Sequence, residues 1–426
     1  MIKKSLHAVN IKLLRDSSIY VTTNLLNKAI PFLLLPVWTH YLKPEEFGLV
    51  ATFTVIFSFI SVVVSLSSHG SVCVEYYKRP LELMPRYITS ALFVVITAFI
   101  LVSLLFWLGG EFIEKLTEFP QDWLPIISIA ALGNAFTLII LSLWQAEKNP
   151  VRFGSLQIFQ TGINMTLSVI AVVVLGLGWQ GRVEGQVGAL VLTGILAIYI
   201  LLKKKMLLTS ISRNDISIVL KFGIPLIPHA MAGWLMMSVD KIFLNNYIGL
   251  EATGIYVIGY TIGMIIGLFT DAFNKAWAPH HFSLLSKITD KKKVTIVRFT
   301  YAWFLVLLLA AFVLSIISPW LLSTFFDPRY HQASDYVIWI SIGGAVNGMY
   351  YMVVNYIYYL NKNYYIALIT IISSVIGVII LYWFININGA VGAAQAMTLS
   401  SVITLFLTWS VSQRLYPMPW LQALWK

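Results

Sequence analysis

Apolar runs of roughly 20 residues, each separated from the next by a short polar loop, recur along almost the whole chain. Runs of that length predict membrane-spanning α-helices rather than the core of a soluble fold. The pattern predicts twelve spans, near 18 to 42, 47 to 69, 86 to 108, 123 to 145, 153 to 176, 184 to 202, 221 to 247, 252 to 274, 296 to 318, 334 to 360, 365 to 385 and 390 to 412. The expected fold is therefore all-α and integral to a membrane. Composition agrees: 58% of residues are hydrophobic, 11% are charged and the mean hydropathy is +0.81, more apolar than a soluble chain of 426 residues can bury.

Charge sets the expected orientation, because Lys and Arg near span ends resist translocation. With the amino terminus inside, 23 of the 29 basic residues fall on the cytoplasmic side. Only Lys43, Lys115, Arg182 and Arg329 fall outside, and Lys28 and Lys241 lie within spans. Both termini are thus expected in the cytoplasm. The net charge of +11 is what this topology demands, so no nucleic-acid partner is expected. Residues 1 to 17 are basic and mixed, unlike a cleavable signal peptide, and the single Cys73 excludes an internal disulfide or a cysteine-based metal cluster.

The chain also echoes itself. Tyr41 to Leu49 matches Tyr247 to Ile255, Glu147-Lys148-Asn149 matches Asn361-Lys362-Asn363, and Gly181 to Gly185 matches Gly389 to Ala393, at offsets of 206, 214 and 208. Three matches in order predict two homologous six-helix lobes, 1 to 205 and 206 to 426, around a central cavity. Since six is even, the repeat axis would run along the membrane normal, as in transporters that rock between two lobes.

No Gly-Lys-Ser/Thr phosphate loop, dinucleotide Gly fingerprint or His-Glu-x-x-His helix is present, so no cofactor or resident metal is expected and the chain does not read as an enzyme. Without a nucleotide site, uphill work would draw on a proton or sodium gradient or on substrate supply. The informative groups are then polar residues inside spans, where an ionised side chain is costly unless it meets water or a partner. Lys28 lies midway along the first span with Asn24 one turn away on the same face. Either they pair between helices or they face a substrate lumen. In the seventh span His229 and Asp240 are three turns apart and share a face, making them candidates for ion coupling or for an interhelical hydrogen bond. Asp240 and Lys241, as sequence neighbours, are not expected to face each other. Pro31, Pro36, Pro225 and Pro228 predict kinks in these two spans.

The sign of the charge is informative. No carboxylate lies away from the ends of the first six spans, whereas Lys28 does, so the lumen reads as suited to an anion. Lys28 and Arg298, joined by Lys241, Arg86 and Arg152, would form a basic path, although snorkelling explains those at span ends equally well. Tyr350, Tyr351, Tyr356, Tyr358 and Tyr359 would serve either as sugar platforms or as an interfacial belt.

Phe222-Gly223-Ile224-Pro225-Leu226-Ile227-Pro228-His229, followed by Gly233-Trp234 and Asp240-Lys241, resembles the seventh span of bacterial polysaccharide repeat-unit (O-antigen, Wzx-type) flippases. Ala272 to Pro279 resembles their eighth-span exit, and Tyr41 to Gly48 their first loop. One departure is Glu75 before Tyr76 and Tyr77, where such proteins often carry an arginine. The resemblance spans the chain and implies a member of the multidrug/oligosaccharidyl-lipid/polysaccharide exporter superfamily in the bacterial inner membrane. It implies alternating access for an undecaprenyl-diphosphate-linked oligosaccharide, a lipopolysaccharide or other surface-polysaccharide precursor, in a setting of membrane lipids and polysaccharide polymerase machinery. A cation-coupled multidrug antiporter and a membrane-bound glycan polymerase or ligase are the alternatives; short outer loops count against the last.

The lone thiol tests the orientation. Cys73, at the cytoplasmic end of the second predicted span, is expected to react with an impermeant maleimide in inside-out vesicles and not in intact cells. Labelling from outside would overturn the orientation.

Overall fold

An apolar bilayer offers no partner to backbone N–H and C=O groups, so a chain this apolar satisfies them within helices. The computed structural model describes residues 18 to 425 apart from 21, 209 and 287, and leaves out the side chains of 229, 232, 236, 237, 424 and 425. Among the described residues there is no strand. Beyond a helical stretch over 22 to 33 come α1 (Leu35–Tyr41), α2 (Pro44–Ser65), α3 (Ser68–Lys78), α4 (Met84–Thr117), α5 (Leu124–Ala146), α6 (Pro150–Val169) and α7 (Gly178–Lys203). They are followed by α8 (Arg213–Gly223), α9 (Ile227–Tyr247), α10 (Leu250–Gly263), α11 (Ile265–Leu285), α12 (Asp290–Phe325), α13 (Ser334–Tyr359), α14 (Asn363–Leu415) and α15 (Gln422–Trp425). Proline stands in the first turn of α1, α4, α5 and α6, where its missing N–H costs nothing. Asn149, Ser212 and Thr289 cap α6, α8 and α12 by accepting from the N–H of Arg152, Asp215 and Lys292.

Nine of the helical stretches among the described residues are long and apolar enough to cross a membrane, against the twelve expected. The last of the nine accounts for part of the difference. Straight, the 53 residues of α14 would run about 80 Å, far beyond a bilayer. They do not run straight: Gly389 has φ 58 and ψ −138, and Gly392 comes so close to the Phe384 carbonyl that a Cβ there would overlap it. Asn388 Nδ2 donates to Gln395 Oε1 at 2.6 Å across the same bend. The predicted spans 365 to 385 and 390 to 412 are the two arms of this hairpin. The predicted first and seventh spans fall on helices interrupted by a turn at Leu34 and by a 3-10 stretch at Ile224–Leu226, beside the prolines that the sequence flagged.

Helix ends recur along the chain, in a slightly different register from the sequence echoes. After α5, Lys148 takes φ 55 and the Asn149 N–H bonds back to the Trp144 carbonyl; after α13, Asn361 takes φ 56 and the Lys362 N–H bonds to Ile357. Both are left-handed helix stops of the Schellman type. Likewise Gly178 (φ 59) leads α7 three residues before Gly181, as Gly389 (φ 58) stands three before Gly392. The backbone therefore pairs Lys148 with Asn361 and Gly178 with Gly389. The residue-type matches had paired Lys148 with Lys362 and Gly181 with Gly389.

The chain forms two compact units, one of residues through Leu42 with Leu49–Trp234, the other of Lys43–Gly48 with the chain from Leu235 onward. Between lipid-immersed helices there is no hydrophobic drive, so small residues and close backbone approach supply the attraction. In the first unit α5 and α7 meet at glycine: a Cβ on Gly133 would strike the Leu190 backbone and one on Gly194 the Gly133 backbone. Thr137 donates to Thr193 beside them at 3.3 Å. In the second unit α13 is the central helix, contacted through Gly259 near the Ala333 carbonyl, Gly263 near Ile340 and its own Gly348 against Thr270. Outward faces such as Leu105, Trp107 and Leu108 of α4 and Ile316 and Trp320 of α12 stay exposed, as lipid-facing residues do.

One contact in the second unit is reciprocal. A Cβ on Gly48 would overlap the Leu250 carbonyl, and a Cβ on Gly254 would overlap the Pro44 carbonyl. Gly48 and Gly254, and Pro44 and Leu250, are matched positions in the Tyr41 and Tyr247 echoes, so each helix start lays its glycine on the carbonyl of the other. Gly48→Ala and Gly254→Ala are each expected to destabilise the purified protein by about 1–3 kcal/mol through overpacking. Gly109→Ala and Gly162→Ala, where a Cβ meets open space, are the controls expected to melt as wild type. Equal melting temperatures for all four would show the contact to be dispensable.

Candidate functional site

The second unit holds a buried ionic group. Asp240 and Lys241 on α9 are 8% and 9% exposed, and Lys241 Nζ lies 3.0 Å from Asp240 Oδ1 and 3.3 Å from Oδ2. Tyr256 of α10, fully buried, donates its hydroxyl to Asp240 Oδ2 at 2.8 Å, and the Lys241 ammonium sits 4.2 Å from the centre of the Tyr260 ring. The expectation that these sequence neighbours would not meet is thus overturned. Adjacent Cβ atoms do diverge on a helix, but a four-carbon lysine stem is long enough to fold its ammonium back, and a low-dielectric site rewards it for doing so. His229 of the coupling pair lies outside the described side chains. Among the described residues no cluster of three His, Cys, Asp or Glu is placed to hold a metal. A cation at Asp240 would have to displace Lys241 from a carboxylate that Tyr256 also holds.

The first unit carries a polar face of opposite character. Gln157, Gln160, Thr161, Asn164 and Ser168 recur at three- and four-residue steps along α6 and so share one side of it. Asn27 bonds to Gln157 at 3.4 Å and accepts from Thr161 at 2.9 Å, while Gln160 donates to Thr193 of α7 at 2.8 Å. At the far end of the ladder Arg182 donates from Nη1 to Asn164 Oδ1 (3.0 Å) and to Ser168 Oγ (2.9 Å), with its guanidinium 5.2 Å from the Trp38 ring centre. Among the described residues Arg182 has no carboxylate partner, so its charge is met by neutral dipoles alone. Hydropathy starts this span at 184 and leaves Arg182 in the outer loop. The helix begins six residues earlier, at Gly178, which draws the arginine inside. The 3- and 4-residue spacing of amides and hydroxyls within a membrane span was the available signal.

The expected basic path is only partly assembled. Asn24 and Lys28 are exposed, one helical stripe from Asn27, and Lys28 has no hydrogen-bond or ion-pair partner among the described residues. Arg152 is likewise exposed, with no side-chain partner described. The others are engaged: Lys241 with Asp240, Arg86 with Asp215 at 3.1 Å, and Arg298 with the Ala423 carbonyl at 3.2 Å, where it holds the carboxyl-terminal segment against α12. Glu75, the departure noted above, pairs with Arg79, which also reaches Asp215 at 3.0 Å. Burial acts to lower the Arg79 pKa, but its bonds to Glu75 and Asp215 outweigh that and raise it. Of the tyrosines, Tyr356 is wholly buried among Leu285, Val297, Val353 and Trp420, a packing role rather than a sugar platform, while Tyr358 is exposed.

The ionic pair makes a stability prediction. Asp240→Asn strands the Lys241 ammonium and is expected to cost about 3–5 kcal/mol, whereas Asp240→Asn with Lys241→Met removes both charges and recovers most of the loss. Denaturation of the purified single and double variants checks this. A double variant no more stable than the single would mean that the pair is not coupled.

The chain is 25% identical over 379 residues to the Lsg locus putative protein 1 of Haemophilus influenzae, covering 86% of this chain and 89% of that one. Its fold is similar to that of the lipid II flippase MurJ in an inward closed conformation, with a TM-score of 0.75 at 14% identity over 93% of this chain and 87% of that one. It is also similar to an inward-facing multidrug resistance MATE family transporter of the MOP superfamily, with a TM-score of 0.73 at 14% identity over 93% and 94% of the two chains. At such identities these two likenesses are of fold. The sequence pattern of the polysaccharide biosynthesis protein family matches residues 13–285, well over half the chain, and this multi-pass membrane protein belongs to that family.

Proposed function

We propose that the chain is a flippase that moves an undecaprenyl-diphosphate-linked oligosaccharide, an O-antigen or other surface-polysaccharide repeat unit, from the cytoplasmic to the outer leaflet of a bacterial inner membrane. The observation that carries this reading is the polar face of the first unit. Amides and hydroxyls of α6 offer hydrogen bonds to sugar hydroxyls, and Arg182, met only by neutral groups among the described residues, supplies positive charge for a diphosphate. Family membership and the likeness of fold to a lipid II flippase support it. In this reading twelve crossings form two lobes of six, both termini are cytoplasmic, and the lobes alternate access while the prenyl tail stays in lipid. Asp240 is the coupling acid, taking a proton or sodium ion when Lys241 releases it. A second reading, a cation-coupled multidrug antiporter, is favoured by that same buried carboxylate and by the MATE-like fold.

The two readings part in proteoliposomes. Arg182→Gln and Lys28→Ala are expected to slow transfer of undecaprenyl-diphosphate-linked oligosaccharide roughly ten- to hundred-fold, the worth of one hydrogen bond to a charged group, while Arg298→Ala stays near wild type. Asp240→Asn with Lys241→Met is expected to retain binding and lose its response to an imposed proton or sodium gradient. Wild-type transfer by both Arg182→Gln and Lys28→Ala would sink the anion-flippase reading. Gradient-driven extrusion of an organic cation would establish the antiporter instead.

A further inference from the structure

Helix α8 is bound to the first unit by one side only. Asp215, 1% exposed, takes Arg79 and Arg86; Val219 is fully buried; Gly223 lies on the Leu66 carbonyl. The lead-in is tied down as well, with the Leu208 N–H donating to Thr89 Oγ1 at 2.9 Å and the Ser212 N–H to Ser90 Oγ at 3.2 Å. Residues 215, 219 and 223 form one stripe of the helix. The stripe on the other side, Arg213, Ile216, Ser217, Leu220, Lys221 and Ile224, lines with Pro225 an open groove of about 460 Å³.

Its chemistry is consistent along its length. The floor is branched aliphatic, and Arg213 and Lys221, about two helical turns apart, border it. Neither Arg213 nor Lys221 has a hydrogen-bond or ion-pair partner for its side chain among the described residues. The acid of the same helix is turned inward and neutralised by Arg79 and Arg86, so the groove face carries positive charge only. Position adds to this: α8 follows the end of the α7 span at Lys203 and precedes α9 in the chain, so it stands at one membrane surface.

We propose that this groove is a binding site for an anionic membrane phospholipid, with the headgroup phosphate held by Arg213 and Lys221 and the upper acyl chain laid on Ile216, Leu220 and Ile224. An apolar floor with cations at its rim, on a helix at the membrane surface, complements a molecule that is apolar below an anionic head. A soluble polyanion has no use for the floor. The site is independent of the transport reading, since none of its residues belongs to the polar face or to the Asp240 group.

The test is lipid binding to the purified full-length protein, read by native mass spectrometry during titration with dioleoylphosphatidylglycerol or dioleoylphosphatidylcholine. Wild type is expected to prefer the anionic lipid, and Arg213→Gln with Lys221→Gln to weaken that lipid alone by roughly thirtyfold, the effect of removing two cations at a membrane surface. Ser217→Asp, which puts an acid in the groove without touching the Asp215 contacts, is expected to act in the same direction and carries the test should the double variant fail to fold. Equal wild-type affinity for the two lipids, undiminished binding by the folded variants, or displacement of the lipid by millimolar inorganic phosphate would each overturn the proposal.

Discussion

Close backbone contact through glycine is the constraint on which the packing of this protein rests. Lipid chains are as apolar as leucine, so burying a leucine between two helices earns little that lipid does not already give. What lipid cannot replace is one peptide unit lying directly on another. Gly133 and Gly194 bring α5 and α7 to that distance, and the matched pair Gly48 and Gly254 does the same at the starts of α2 and α10. Hydroxyl and amide contacts, such as Thr137 with Thr193 or Asn355 with Asn274, form where the glycines have already set the spacing.

Much of the fold was legible because the bilayer imposes one length and one polarity on every crossing. Hydropathy alone located the apolar helices, and proline marked the interruptions at Leu34 and Ile224–Leu226. The arms of α14 were separated at the right place, at Gly389, although the bend there needs hardly any loop. Residue types set the first echo in the register the structure shows, at Gly48 and Gly254, and misjudged the register of the two later ones. The echo turns on which residue adopts the left-handed conformation, and Lys148 and Asn361 play that part with different side chains.

The polar groups were harder to read, for two physical reasons. A helical wheel describes where Cβ atoms point and not where a long side chain ends, so the Lys241 ammonium escaped it. Hydropathy sums also treat amides and hydroxyls as dilution of an apolar run. The ladder from Gln157 to Ser168 therefore hides inside a good span, and Arg182, just short of the start that hydropathy gives the next one, reads as a topological charge. Lys28 stands out because a cation in mid-span is conspicuous in any sequence, and Asn24 accompanies it only as the residue one turn away; the structure leaves both exposed. Arg298 was equally conspicuous, but its guanidinium serves the Ala423 carbonyl.

The two ionic sites also differ in how they respond to voltage. Asp240 and Lys241 form a dipole of zero net charge, and moving such a pair across the bilayer does essentially no work against the transmembrane potential. Arg182, which has no carboxylate partner among the described residues, carries a charge worth about 2.3 kcal/mol for each 100 mV it crosses. A diphosphate diester bound at Arg182, with its two negative charges, would turn that charge from positive to negative. Loaded and empty forms of the first unit would then be driven in opposite directions by the same transmembrane potential.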